Sequence, residues 1–156
     1  MTDVLNGAAS IVSETGPAIV GGHSIENKEP IFGMSITGQV NPNEIWKNKG
    51  ARVGDVLVLT KRIGTGIMNN ALKADLFPTG TAQAVASMST LNRVAAEVAH
   101  NFTIHACTDV TGFSLMGHSV EMASASNVTI HIKTYNIPLF DDVIEAAQMG
   151  LVPAAS

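Results

Sequence analysis

Glycine and proline cut this chain into short pieces, and that punctuation limits its folding options more than any other feature. Its 156 residues include 14 glycines and 6 prolines, spread along the whole length. Although 46% of the residues are hydrophobic, no uninterrupted apolar run reaches the ~18 residues that a membrane-crossing helix needs. Short helices and strands around a modest core are what such a pattern allows. Only 14% of the residues are charged, against about 25% in an average globular domain. That balance excludes intrinsic disorder. It also predicts that some apolar surface lies against another chain or segment.

Residues 2–14 predict a helix in which Val4, Ala8, Ile11 and Val12 share a face, Thr2 or Asp3 caps the start and Gly16-Pro17 ends it. Ala18-Ile19-Val20 reads as a buried strand stopped by Gly21-Gly22. In residues 31–40, Phe32, Met34, Ile36 and Val40 alternate with polar neighbours, the pattern of a half-buried strand. Asn41-Pro42-Asn43 breaks that strand, and a turn of helix is expected around residues 44–46. A domain boundary is expected near 40–50, which divides the chain into residues 1–40 and 41–156.

In the second part, Val56-Leu57-Val58-Leu59 suits a central strand, and Gly64-Thr65-Gly66 opens a helix through about residue 74. Residues 81–99 predict one long helix, with Val85, Met88, Leu91, Ala95 and Val98 on a single stripe. A short apolar segment at 104–107 precedes a helix over 113–125. Val128, Ile130 and Ile132 alternate as a further strand. Asp141 or Asp142 caps a last helix that Gly150 ends. The mixed order of helices and strands places the chain in the α+β or α/β class.

The net charge of −4 comes without any basic cluster, so nucleic acid is not an expected partner. A single cysteine, Cys107, rules out an intramolecular disulfide and a multi-cysteine zinc site, and fits a reducing cytoplasm. The start, Met1-Thr2-Asp3-Val4, has neither the cationic nor the apolar region of a signal peptide.

Four places carry groups suited to chemistry. Gly21-Gly22-His23-Ser24 could bring backbone N–H groups and a hydroxyl to an anion, or could simply be a tight turn. Asp109, between an apolar segment and a helix, could share a hard cation with phosphate oxygens, or be an ordinary loop aspartate. Lys61-Arg62-Ile63-Gly64-Thr65-Gly66 places cations at a helix start but lacks the Gly-Lys-Ser/Thr close of a Walker loop, which favours a glycine-cornered turn. The five histidines are scattered without a metal-binding spacing, and Cys107 reads as a small apolar residue.

Several of these pieces together resemble the selenophosphate synthetase (selenide, water dikinase) family. They are Gly21-Gly22-His23-Ser24-Ile25, Glu29-Pro30-Ile31-Phe32-Gly33, Thr37-Gly38, Gly54-Asp55-Val56-Leu57-Val58-Leu59-Thr60-Lys61 and Gly64-Thr65-Gly66. The strongest is Thr108-Asp109-Val110-Thr111-Gly112-Phe113, followed by Leu115, Met116, Gly117 and His118. In register, they cover residues from about 4 to 153.

The resemblance implies an α+β fold like that of aminoimidazole ribonucleotide synthetase. Residues 1–40 would end a β-rich, strand-paired dimerisation and ATP-binding domain, and residues 41–156 would form the front of a second α+β domain. It implies a transferase of the kinase type in selenium metabolism, which turns selenide, ATP and water into selenophosphate, AMP and phosphate with Mg2+. Gly22, His23 and Ser24 would contact the nucleotide, in many members one bound mainly by the partner subunit, and Asp109 would bind magnesium. ATP and selenide would be the small-molecule partners, a homodimer or higher homo-oligomer the assembly, and membranes no part of it.

Family members also carry a glycine-rich segment with a reactive cysteine or selenocysteine and a lysine, upstream of the matching stretch. Cys107 does not stand at that position. The expectation is therefore an internal piece of a longer enzyme, with no catalytic nucleophile and no activity alone. Ser114 stands where the family usually has glycine and Met116 where leucine is common. The competing expectations are a piece of another ATP-using member of the same superfamily, or a short non-catalytic nucleotide-binding or dimerisation module.

Overall fold

The computed structural model describes residues 2–153. It divides into two compact units, the first ending at Gln39 and the second beginning at Val40.

Among its described residues the first unit holds one helix, α1 (Thr2–Thr15). Ala8, Ile11 and Val12 of the expected stripe are half-buried, while Val4, expected on the same face, is 46% exposed. Gly16 ends the helix in the left-handed region at φ +83, where its N–H still bonds the Val12 carbonyl at 3.2 Å. Only glycine adopts that conformation at little cost. Residues 17–39 then run without helix or strand, and exposed throughout.

The second unit begins with a 3-10 turn, Pro42–Glu44, whose first free N–H groups need a partner. Asn41 supplies it, its Oδ1 accepting the Asn43 N–H at 3.0 Å. Among the described residues five α-helices follow: α2 (Thr65–Lys73), α3 (Pro78–Ser89), α4 (Arg93–Ala99), α5 (Ser114–Ser126) and α6 (Val143–Gln148), with a 3-10 turn at Thr134–Asn136. The core joins three of them. Met68 and Ala71 of α2, Ala84 of α3, Val143 and Ala146 of α6, and Phe140 just before α6 are buried together. Large side chains buried this way contribute roughly 1.5–3 kcal/mol each.

Two aspartates lock this arrangement. The Phe77 residue at the N-cap of α3 offers no side-chain acceptor, so the N–H groups of the first turn are unsatisfied locally. Asp142 reaches across from the start of α6, and its Oδ2 accepts the Gly80 N–H at 3.2 Å. Asp141 receives Gln83 Nε2 at 2.8 Å and Arg62 at 3.2 Å. Asp142 occupies the N-cap of α6, but its carboxylate serves α3 rather than its own helix.

Two expectations need correction. The long helix over 81–99 is two helices, because the chain turns extended at Thr90 (ψ 125). Ser89 and Thr90 donate their hydroxyls back to the carbonyls of Val85 and Ala86 at 3.0 and 2.8 Å, a habit that competes with helix continuation. Lys61 then places its ammonium on the carbonyls of Ser87 and Thr90, the cation that a helix C-terminus attracts.

The expected strands are the second correction. Among the described residues the only β pairing is an isolated parallel bridge between Ile63 and Leu139. Residues 18–20, 31–40, 56–59 and 128–132 form no ladder, so the β-rich character expected of residues 1–40 is not seen. A strand exists only when a neighbour accepts its N–H groups, and none of these segments has one here. Their side-chain pattern survives nonetheless: Val128, Ile130 and Ile132 are half-buried while Thr129 and His131 are exposed. Ile36, Val56 and Val58 are 84%, 84% and 80% exposed, far more than a free-standing surface favours.

Candidate functional site

The loop from 106 to 113 leads into α5, and its shape follows from turn chemistry. The Ser114 N–H bonds the Thr111 carbonyl at 3.0 Å, and the Gly117 N–H bonds that of Phe113 at 3.1 Å. Ser114 itself sits at φ +63, in the left-handed region that a Cβ disfavours. The family resemblance placed glycine at this position, and the backbone gives the reason.

Asp109 lies on this loop, exposed. Among the described residues no hydrogen bond or ion pair engages its carboxylate, whereas Asp55, Asp141 and Asp142 are all engaged. No cluster of three or more metal-ligating side chains exists among the described residues. A protein cage for a metal is therefore not what this loop offers. A single free carboxylate suits Mg2+ of another kind, the ion that keeps its waters and shares its shell with substrate phosphates.

The loop is held at both ends. At its start, the Cys107 N–H bonds the Lys47 carbonyl at 2.8 Å. At its end, the Thr111 hydroxyl meets His118 Nε2 at 3.1 Å. His118 is 7% exposed, on the inner face of α5. The Phe113 ring lies 5.9 Å from its imidazole, and Glu121 Oε2 stands 3.7 Å from Nδ1. Glu121 in turn accepts the Asn48 amide at 3.1 Å. His118 belongs to the motif that carries the family resemblance, but its histidine spacing alone assigns it no role. The signal was the spacing 111, 118, 121, a hydroxyl, an imidazole and a carboxylate near one helix face.

A second histidine is also engaged. His105 Nδ1 lies 2.8 Å from Asp55 Oδ1, and Asp55 Oδ2 accepts the Arg52 N–H at 2.8 Å. The Arg52 N–H, then His105, hold the Asp55 carboxyl below the usual carboxylate range. Fifty residues separate this pair, so no local pattern announced it.

Gly22, His23 and Ser24 belong to the first unit, in its exposed run without helix or strand, with open space around Gly21 and Gly22. Asp109 belongs to the second unit. The turn at residues 61–66 borders an open depression of about 410 Å3 lined by Lys61, Arg62 and Gln83 among others. Its cations are committed, Lys61 to the α3 carbonyls and Arg62 to Asp141. Gly64 (φ +114) turns the chain there with Val143 packed where a Cβ would point, which is the glycine-cornered turn.

Residues 52–152 match the family described as AIR synthase related protein, C-terminal domain. Over 154 residues the chain is 46% identical to a selenide, water dikinase of Caldanaerobacter subterraneus subsp. tengcongensis, covering 98% of this chain and 45% of that protein. It is 43% identical over 153 residues to selenide, water dikinase 2 of Peptoclostridium acidaminophilum, covering 97% and 44% respectively. With the selenide, water dikinase of Clostridioides difficile the identity is 41% over 155 residues, covering 99% and 44%. The chain thus spans less than half the length of these curated relatives.

Proposed function

This chain belongs to the AIR synthase related family, and we propose that it is part of an ATP-dependent enzyme that forms selenophosphate from selenide, ATP and water, releasing AMP and phosphate. The observation that carries this reading is the identity of 46% across nearly the whole chain to a selenide, water dikinase. The geometry of the Asp109 loop supports it. An unengaged carboxylate on a loop anchored at both ends fits a group that meets a magnesium–phosphate complex from outside.

Phosphoryl transfer is mostly positioning and charge neutralisation. Mg2+, when bound, neutralises phosphate charge. Asp109 supplies one anionic ligand, and the anchored loop fixes where that ligand points. Gly22, His23 and Ser24 supply backbone N–H groups and a hydroxyl for the nucleotide, a role supported by their motif and their open surroundings. A cytoplasmic location agrees with the lone Cys107.

A second copy of the chain is the proposed protein partner. Residues 31–40 carry exposed Phe32, Met34, Ile36 and Val40, and an extended apolar segment without a neighbour is a template for pairing.

A chimaera tests the catalytic reading. Residues 1–156 replace the matching stretch of the Clostridioides difficile enzyme, and AMP formation is followed with and without selenide. The reading expects selenide-dependent AMP, lost on Asp109→Asn. A folded chimaera that forms AMP equally well without selenide, or none at all, overturns it.

A further inference from the structure

We propose that His118 is a positioning residue that sets the Asp109 loop, acting through Thr111 and held in one tautomer by Glu121. This deepens the reading of Asp109 as a metal ligand and rests on it.

An imidazole that is 7% exposed needs partners for both nitrogens. Glu121 Oε2 stands on the Nδ1 side at 3.7 Å, beyond hydrogen-bond distance, so it acts on the ring through its charge, and a negative carboxylate there favours a proton on the nitrogen that faces it. Nδ1 then carries the hydrogen, and the Nε2 lone pair is left to accept the Thr111 hydroxyl at 3.1 Å. The Phe113 ring, 5.9 Å away, packs beside the imidazole. Thr111 stands two residues from Asp109, so a fixed hydroxyl there restricts the carboxylate-bearing backbone.

The far end of the relay closes on the same piece of chain that holds the loop's other end. Asn48 donates its amide to Glu121 at 3.1 Å, while its neighbour Lys47 accepts the Cys107 N–H at 2.8 Å. Two consecutive residues therefore bear on both sides of the loop, Lys47 directly and Asn48 by holding the Glu121 carboxylate whose charge faces His118. A ligand fixed in advance loses less freedom when it meets its ion.

The test uses the full chain. In wild type, 15N NMR of the imidazole is expected to place the His118 proton on Nδ1. Thr111→Val keeps the side-chain shape and removes the hydroxyl. It is expected to speed amide hydrogen exchange across residues 108–112 about fivefold, the effect of one net hydrogen bond. Thr111→Ser restores the hydroxyl and is expected to return exchange to the wild-type rate. Exchange unchanged in Thr111→Val, no recovery in Thr111→Ser, or a proton found on Nε2 each overturns the proposal. Mn2+ relaxation by the same three proteins, with ATP present, separates the two claims. Wild type without an Asp109-centred effect refutes the metal reading, whatever the exchange rates say of His118.

Discussion

Replacing Gly80 by alanine sets two calculable effects against each other. Gly80 lies in the first turn of α3, and on helix propensity alone alanine there would stabilise by about 0.8–1 kcal/mol. The packing opposes this. A Cβ at Gly80 would lie 2.2 Å from the Asp141 carbonyl oxygen and 2.7 Å from Met68 Sδ. The methionine tail can swing away, but the carbonyl cannot move freely. The Asp141 N–H is bonded to Gln83 at 3.1 Å, and Asp142 holds the Gly80 N–H at 3.2 Å.

Restoring ordinary contact needs a shift of more than 1 Å in the segment before α6. Overpacking of this kind costs about 1–3 kcal/mol, and losing the Asp142 hydrogen bond adds about 1 kcal/mol. The clash therefore outweighs the propensity gain, and the expected net loss is about 1–3 kcal/mol. Urea unfolding followed by circular dichroism measures it, with the midpoint moving to lower urea at an unchanged slope. A Gly80→Ala protein as stable as wild type, or more so, refutes the packing of α3 against the 139–142 segment.

Three further outcomes follow from the same reasoning. Ser114→Gly relieves a side chain held at φ +63 and is expected to raise stability by about 1 kcal/mol, read as a higher thermal midpoint. Asp55, whose carboxyl is held low by the Arg52 N–H and His105, contributes stability that is full above the ordinary carboxylate pKa. That contribution fades as pH falls below about 4, so an acid titration of stability should flatten in Asp55→Asn. If residues 31–40 pair with a second copy, light scattering at tens of micromolar reports at least a dimer, and a clean monomer contradicts that pairing.

What the sequence revealed tracks how local each feature is. Gly16-Pro17 and Gly64-Thr65-Gly66 mark helix boundaries in the chain itself, so α1 and α2 were legible. The break between α3 and α4 was not. Its cause is hydroxyl back-bonding by Ser89 and Thr90, which the apolar stripe through Leu91 hides. The strands read from residues 31–40 and 56–59 were apolar patterns awaiting a neighbour, and periodicity cannot supply one.

The candidate site divides the same way. Asp109 stands out through the family resemblance, because the local pattern of a carboxylate in a polar loop before a helix equally suits an ordinary loop aspartate. The Asp142 cap on Gly80 and the His105–Asp55 pair span 62 and 50 residues, beyond any window of sequence. His118 lies between these cases, since Thr111, His118 and Glu121 are close enough in sequence for a helical wheel to align them.

Titration calorimetry of Mg2+·ATP into the wild-type chain and into Asp109→Asn bears most directly on the central claim. Loss of a charged ligand is worth about 1.5–3 kcal/mol, so weak binding in wild type should drop by roughly tenfold or more in the variant. Equal affinity in the two proteins contradicts the assignment of Asp109 to the magnesium–nucleotide complex.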